Sequence, residues 1–329
     1  ESRLGYNRNQ TVTTDEFGNP TFSNITAIET LDRTFISLPK VFGINLFGNT
    51  VEDIVNDFEQ RRDEIVARND LDSVGKNKAL NVALSEAFYE GLEAFSLSGV
   101  DAVGRFLPSL NWGIRWEGIE EWGMWNGYLK KVQIEHTYSS RYSESVQIND
   151  NGRAVQNQQV SSGFQPLVGV TFSFDESKVD GTLTGSVRWN RVQGYNLNAA
   201  AKSVITTQTS NEFTVQAAYT MEQFKVDLLG IDLRNDLEFS FTGSYKYNGR
   251  GTLDVLDRES FEGGEEQGRV LDGSTVINIE PRIRYSLSDR LTAAFFIRYD
   301  GTFNEGAAQP GFHTTQVGLD IRLSIAGGR

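Results

Sequence analysis

The side chains in this sequence best suited to metal or acid–base chemistry are two histidines and two acidic runs. His136 lies on the apolar side of the run VQIEHTYSS, and His313 stands just before the last extended run. Two histidines cannot supply a three-histidine zinc site. The acidic runs EGIEEW (117–122) and FEGGEEQG (261–268) lack the spacing of a calcium-binding loop. We therefore expect structural histidines, solvated acidic loops and no bound metal.

Other motifs of catalysis are missing from the sequence. It contains no cysteine, no glycine-rich phosphate loop, no zincin motif and no G-x-S-x-G elbow. Paired carboxylates of the glycosidase kind stay open, because spacing alone does not show whether two strands bring them together. The expectation is a protein that is not an enzyme and that uses no cofactor.

Charged side chains instead recur at every second position of long extended runs. In TQVGLDIRLSI (315–325), Leu319 and Ile321 point one way, while Asp320 and Arg322 point the other. A soluble antiparallel sheet uses such a strand with its polar face in water. An outer-membrane barrel uses it with the apolar face on lipid and the polar face on a wet lumen. One strand does not decide between the two.

About eleven runs of this kind can be counted, most of them long enough to cross a bilayer as tilted strands. They predict an all-β fold, an antiparallel transmembrane β-barrel segment with a small helical insertion. The polar positions that we expect to face the lumen are Arg188, Lys246, Asn278, Glu280, Arg282, Arg284, Asp320 and Arg322.

Aromatic and aliphatic residues occupy the opposite face of the same runs. Several of the aromatics fall near strand ends, as in the girdles of a membrane barrel; ordinary enrichment of aromatics in strands is the alternative. The residues that we expect to face lipid or to form the girdles are Trp112, Trp116, Trp189, Tyr219, Tyr247, Ile279, Ile283, Tyr285, Phe295, Tyr299, Leu319 and Ile321.

Composition excludes some functions. The formal net charge of −13 argues against nucleic-acid binding, which requires a basic surface. No stretch approaches the roughly 20 apolar residues of a membrane-spanning helix. The mean hydropathy of −0.38 resembles that of a soluble protein, but a barrel has a similar value because only every second strand residue touches lipid.

One segment departs from the strand pattern. From Thr50 onward, apolar residues follow helical spacing, and Thr50 with Asp53 resembles a capping box. The stripes of this helical pair consist of Val51, Ile54, Val55, Phe58, Ile65 and Val66, followed by Leu80, Leu84, Phe88, Leu92 and Phe95. We expect barrel strands in 1–38, a helical insertion in 39–107 with the pair at about 50–95, and barrel strands in 108–329 with the last at 314–325. The pair is either a cap or gate on the cell-surface side or a brace for the barrel.

Loop lengths and strand parity give two further expectations. Long and short loops alternate, as they do between the outer and periplasmic sides of a barrel, except that the link from Thr220 to Asn235 is unusually long for a periplasmic turn. An odd count of eleven strands contrasts with the even count of complete bacterial barrels. The parity, and the start at Glu1 without a charged and then apolar leader, favour a fragment or a processed chain.

Six stretches together resemble the C-terminal region of the SprA/Sov family. They are, in order, NDFEQRRDEIVARN, LPSLNWGIRWEGI, KKVQIEHTYSSRY, FQPLVGVTFSF, TQTSNEFTVQAAY and TTQVGLDIRLSIA, and they span nearly the whole chain. The LPSLNW block and the SNEF strand are the most specific, since generic alternation predicts neither. The ending IAGGR departs from the aromatic terminus typical of outer-membrane proteins.

The resemblance implies a function in the type IX secretion system of Bacteroidota. It implies a cell outer membrane location and a very large single-chain barrel that passes folded cargo proteins to the cell surface and supports gliding motility in some members. Implied partners are secreted cargo, a FadL-like outer-membrane protein (PorV), a periplasmic plug protein, the remainder of the same barrel and membrane lipid. The alternatives are a small autonomous outer-membrane porin, a soluble β-sandwich adhesin or carbohydrate-binding module, and, more distantly, a hydrolase.

Overall fold

The computed structural model describes residues 2–14, 20–33, 51–92, 111–121, 123, 127–149, 152–199, 204–228, 231–254, 269–288, 290–306 and 310–324. Strands account for most of them, which confirms the predicted antiparallel β class. In chain order the strands are β1 (Ser2–Thr14), β2 (Pro20–Arg33), β3 (Trp112–Glu117), β4 (Leu129–Asn149), β5 (Gly152–Phe174), β6 (Thr182–Asn198), β7 (Val204–Leu228), β8 (Ile231–Asp254), β9 (Arg269–Ser288), β10 (Leu291–Glu305) and β11 (Phe312–Leu323).

Two helices interrupt the strands, in the segment where the spacing of apolar residues predicts them. Helix α1 is Val51–Ala67 and α2 is Ser73–Leu92. Their shared stripe is buried from Ile54 to Phe58 and from Leu84 to Leu92, but Val66 is exposed, contrary to its predicted place on the stripe. The capping residue Thr50, the side chains of Val51 and Asp53, and Phe95 lie outside what the structure describes.

All eleven strands form one antiparallel sheet in which each strand from β4 onward pairs with the next. The sheet is not closed: within the described residues, β1 and β11 each have one unpaired edge. We call the end with the β4–β5, β6–β7 and β8–β9 links the upper end, and the end with the β5–β6, β7–β8 and β9–β10 links the lower end.

Strands β2 and β3 lie end to end along one edge of β4. Arg33 at the end of β2 pairs with Tyr142, and Trp112 at the start of β3 pairs with Tyr138, in the same antiparallel sense. They therefore form a single strand line that the helical segment interrupts. The eleven strands occupy ten positions across the described part of the sheet. The odd strand count therefore gives no support to a fragment, and the fragment itself stays a prediction.

One link at the lower end is shorter than the sequence predicts. Strand β7 continues to Leu228 and β8 begins at Ile231, so the expected long connection from Thr220 to Asn235 is wrong. A β-bulge between Met221 and Phe224, with φ of 53° at Gln223, interrupts the regular pairing of the two strands. The alternation in the sequence therefore does not reveal this hairpin. The last strand, β11, begins and ends two residues before the predicted 314–325.

The main buried core lies between the helices and the upper end of the sheet. Ile54, Phe58, Leu84 and Phe88 pack with one another and against the strands. The strand residues beneath them are Tyr142, Val160, Leu197 and Ile205, all at most 1% exposed.

Hydrogen bonds also fix the position of α2 above the strands. Asn81 Nδ2 donates to the carbonyl oxygens of Val155 and Ala199, at 3.3 and 3.2 Å. Gln158 Nε2 donates to the Ser85 carbonyl and to the Tyr142 hydroxyl. The helical pair is thus anchored on the sheet both by apolar contact and by hydrogen bonds.

Candidate functional surfaces of the sheet

The register places the two predicted sets of side chains on opposite faces. One row of paired residues crosses nine strands, from Trp116 on β3 through Val187 and Ile279 to Thr315 on β11. Because paired residues share a face, this row and the rows in step with it define what we call the apolar face. It carries all twelve residues expected to face lipid: Trp112, Trp116, Trp189, Tyr219, Tyr247, Ile279, Ile283, Tyr285, Phe295, Tyr299, Leu319 and Ile321.

The opposite surface, which we call the charged face, carries the eight polar residues. These are Arg188, Lys246, Asn278, Glu280, Arg282, Arg284, Asp320 and Arg322. What each face contacts stays a prediction.

The apolar face is exposed over a band of defined depth. On β9 the band covers the eleven residues from Ile277 to Leu287, within the roughly 9 to 11 residues of a transmembrane strand. Ile283 is 44% exposed and Leu319 63% exposed. At about 3.3 Å per residue the band is about 33 Å long along the strand, or about 23 Å high at a tilt near 45°.

The charged face is crossed by ion pairs within strands and between strands. Glu280 accepts hydrogen bonds from Arg298 Nε at 2.7 Å and from Arg282 Nη2 at 2.9 Å. Arg282 also approaches Asp320 at 3.4 Å, and Arg284 pairs with Glu238. On the same face, similar contacts join Glu135 of β4 with Arg115 of β3 and Arg188 of β6. Both signs of charge are therefore interspersed and largely paired within the sheet.

Phe296 is an exception on the charged face, because it is an apolar ring that is nearly buried there. The guanidinium carbon atoms of Arg282 and Arg298 lie 4.9 and 5.8 Å from its centroid, a cation–π arrangement. The ring also covers Gly318, where an added Cβ would lie 2.3 Å from the ring Cζ. Gly318 thus makes the room that Phe296 needs.

We expect Gly318→Ala to destabilise the β10–β11 hairpin by about 1–3 kcal/mol, because overpacking forces the Phe296 ring out of place. Gly113→Ala is the control, since its Cβ would meet nothing closer than 3.7 Å. Hydrogen exchange of the β10 and β11 amides measures the difference. Equal protection in the two variants would show that the ring yields at no cost.

Polar atoms of several aromatic residues on the apolar face are hydrogen-bonded to neighbouring chain segments. Trp189 Nε1 donates to Asn211 Oδ1 at 2.6 Å, near the upper limit of the band. The Tyr219 hydroxyl donates to the Asp180 carbonyl and the Tyr285 hydroxyl to the Phe224 carbonyl, both toward the lower end. This combination of an apolar ring and a satisfied polar tip suits a boundary between hydrocarbon and water. Trp122 and Trp125 lie outside the described residues.

The helical pair covers the apolar face itself, at the upper end of β4–β7. The helical pair therefore packs on the apolar face of the sheet and not on the charged face. The observed contacts are those of a brace, and the alternative of a gate stays a prediction.

The histidines and the first acidic run take structural positions. His136 Nδ1 lies 2.7 Å from the Leu167 carbonyl, and His313 stacks on Tyr299. Glu120 accepts a hydrogen bond from the Val132 N–H. The second acidic run, 261–268, is not described. Among the residues that are described, no three His, Cys, Asp or Glu side chains lie close enough together to hold a metal ion.

Neither α1 nor α2 has a stretch sufficiently long and apolar to cross a membrane.

No family model matches the chain, and no curated protein matches it. The similarity to the SprA/Sov family therefore stays an interpretation of the quoted stretches.

Proposed function

We propose that this chain forms part of the wall of an outer-membrane β-barrel through which proteins pass. The observation that carries the proposal is the exposed apolar band of β8–β11, with paired charges on the opposite face of the same strands. A sheet with these two faces fits between lipid and a water-filled lumen.

The exposed band argues for lipid rather than water on the apolar face. Below the helical pair, the described residues provide no second layer over Ile279, Ile283, Phe295, Leu319 or Ile321. A contiguous apolar surface of this kind is rare on soluble monomers. It is therefore a better fit to a membrane protein than to a soluble sandwich or carbohydrate-binding module.

The charged face suits the passage of large polar cargo. Arg282, Glu280 and Arg298 already satisfy one another, so a protein surface that passes them gains little by displacing those bonds. Weak, distributed contact lets cargo enter and leave.

Within this proposal, the resemblance to the SprA/Sov family suggests the specific system. The chain would be the C-terminal part of the protein-conducting channel of type IX secretion, in the outer membrane of a member of the Bacteroidota. Its partners would be secreted cargo, PorV, a periplasmic plug protein and the rest of the barrel.

The test determines the size of the polypeptide in native outer membranes and the proteins that associate with it. Detergent extracts are separated on a native gel, detected with an antibody against residues 255–270 and identified by mass spectrometry. We expect the antigen in a chain or complex much larger than 36.7 kDa, together with a FadL-like protein. A heat-modifiable band that migrates alone near this mass would contradict the translocon.

That second result would identify a small autonomous porin, which is the other candidate. The observation in its favour is the even number of ten strand positions, since complete single-chain barrels have even counts. Closure would then pair the free edges of β1 and β11, and single-channel conductance of the isolated chain would reveal the pore.

A further inference from the structure

One row of paired residues on the apolar face marks the upper limit of the apolar band. It crosses eight strands, and most of its members are aromatic: Trp112, Tyr138, Phe164, Arg191, Asn211, Tyr247, Thr275 and Phe303. On β9 its member Thr275 lies just above Ile277, where the band begins. The next row up contains no large apolar side chain: Ser140, Ser162, Gln193, Thr209, Gly249, Gly273 and Glu305. The change from apolar to polar side chains therefore falls at the first of these rows, which we call the boundary row.

Arg191 is the only charged member of the boundary row. It lies on β6 between Phe164 of β5 and Asn211 of β7, and its side chain is partly buried. No carboxylate of the described residues forms an ion pair with it, and its buried Nε has no hydrogen-bond partner among them. In the rows directly above and below, the one described carboxylate is Glu305 on β10, four strands away. Arg191 is thus a cation on the apolar face for which the described structure supplies no anion.

Arginines on the charged face differ in this respect. Arg188, three residues before Arg191 on the same strand, lies 3.3 Å from Glu135, and Arg298 donates to Glu280 at 2.7 Å. A partly buried guanidinium without acceptors is unfavourable, because burial removes water and provides nothing in its place. An anion that reaches Arg191 from outside the sheet would remove this cost. A phosphate group suits the role, since it accepts two parallel hydrogen bonds from one guanidinium.

Asn211 supplies a second donor beside Arg191. Its Oδ1 accepts the hydrogen bond from Trp189 Nε1 at 2.6 Å, and none of the described residues accepts from its Nδ2. The amide is therefore oriented by Trp189 with its N–H groups available to a further acceptor. A cation and a neutral donor on neighbouring strands together match the several oxygens of one phosphate.

We propose that Arg191 binds the phosphate of an anionic membrane lipid. The inference rests on the proposed function, which places lipid against the apolar face. In that setting the hydrocarbon ends at the boundary row, so lipid headgroups lie at the level of Arg191. Phe164 and Trp189, next to Arg191 on the same face, offer apolar surface to the acyl chains. An anionic headgroup is favoured because a zwitterionic one carries its own cation beside the phosphate.

The test is native mass spectrometry of the assembly, purified in detergent and titrated with phosphatidylglycerol or, for comparison, with zwitterionic phosphatidylcholine. We expect the wild type to retain phosphatidylglycerol in preference to phosphatidylcholine. Arg191→Gln should weaken phosphatidylglycerol binding about tenfold, since hydrogen bonds to charged groups are among the strong ones. Arg191→Lys should weaken it by a smaller factor, because lysine keeps the charge but not the paired donors.

Arg188→Gln is the matched control. It removes the same side chain from the same strand, but on the charged face, so lipid binding should not change. Equal retention of phosphatidylglycerol by the wild type and Arg191→Gln, an equal loss in Arg188→Gln, or no preference of the wild type for phosphatidylglycerol would overturn the proposal. So would loss of a protein subunit from the Arg191→Gln assembly with lipid binding intact, which would assign Arg191 to a carboxylate of a partner protein.

The solubility of the same preparation tests the proposed function separately. A membrane wall stays in solution only with detergent, whatever Arg191 binds. An assembly that needs detergent but binds phosphatidylglycerol equally well with Arg191→Gln contradicts the lipid site alone. An assembly that stays in solution after detergent is removed contradicts the membrane wall and the lipid site together.

Discussion

Ile283→Arg is expected to cost about 2–4 kcal/mol of folding free energy in a bilayer, the cost of arginine at the middle of a lipid-facing wall. Ile283 lies near the centre of the apolar band and is 44% exposed. Its neighbours in sequence, Arg282 and Arg284, are already arginines, but they lie on the charged face. The loss of folding free energy should therefore come from placing arginine on the apolar face and not from its charge as such.

Asn278→Arg supplies the control, because it introduces the same side chain into the same strand on the charged face. We expect it to change the folding free energy by no more than about 0.5 kcal/mol, as for other surface substitutions. Reversible unfolding by urea in lipid vesicles measures both variants. Equal costs would contradict the assignment of the two faces.

A third variant distinguishes between lipid and a packed protein layer as the environment of the apolar face. Lipid accommodates Ile283→Trp readily, since nothing rigid opposes the larger ring. A well-packed core would be overfilled and lose about 1–3 kcal/mol. Destabilisation by Ile283→Trp as large as that by Ile283→Arg would therefore indicate that another protein surface covers the band.

Alternation was sufficient to predict the faces of individual strands because side chains in a strand point up and down with period two. Ile279 and Asn278 are assigned to opposite faces by adjacency alone. The number of strand positions was harder to predict, because β2 and β3 look like separate strands in sequence. Only the pairing of both with β4 shows that they share one line.

The helices were predictable as elements, whereas their docking site was not. Helical spacing identifies an apolar stripe but not the surface that the stripe covers. The strand residues beneath the helices, Tyr142 and Ile205 among them, follow the same alternation as those in the exposed band. Which part of the face is covered by helices depends on tertiary contacts such as those of Asn81.

Phe88→Ala is expected to cost about 3–5 kcal/mol, as for other fully buried phenylalanines, and to release the helical pair from the wall. Phe88 is fully buried in the core between α2 and the strands, so its truncation leaves a cavity between the helix and the sheet. Val74→Ala on the same helix is the control, since Val74 is 68% exposed. We expect it to change stability by at most about 0.5 kcal/mol.

Hydrogen exchange with mass spectrometry distinguishes local release from general unfolding in the Phe88→Ala variant. Amides of α1 and α2 should lose protection. Amides of β9–β11 should keep it, because the cross-strand hydrogen bonds of those strands involve no helix residue. Loss of protection throughout the sheet would show instead that the wall requires the helices. In that case the pair would be a folding element of the barrel, and the gate alternative would fail, since a gate must move while the wall remains intact.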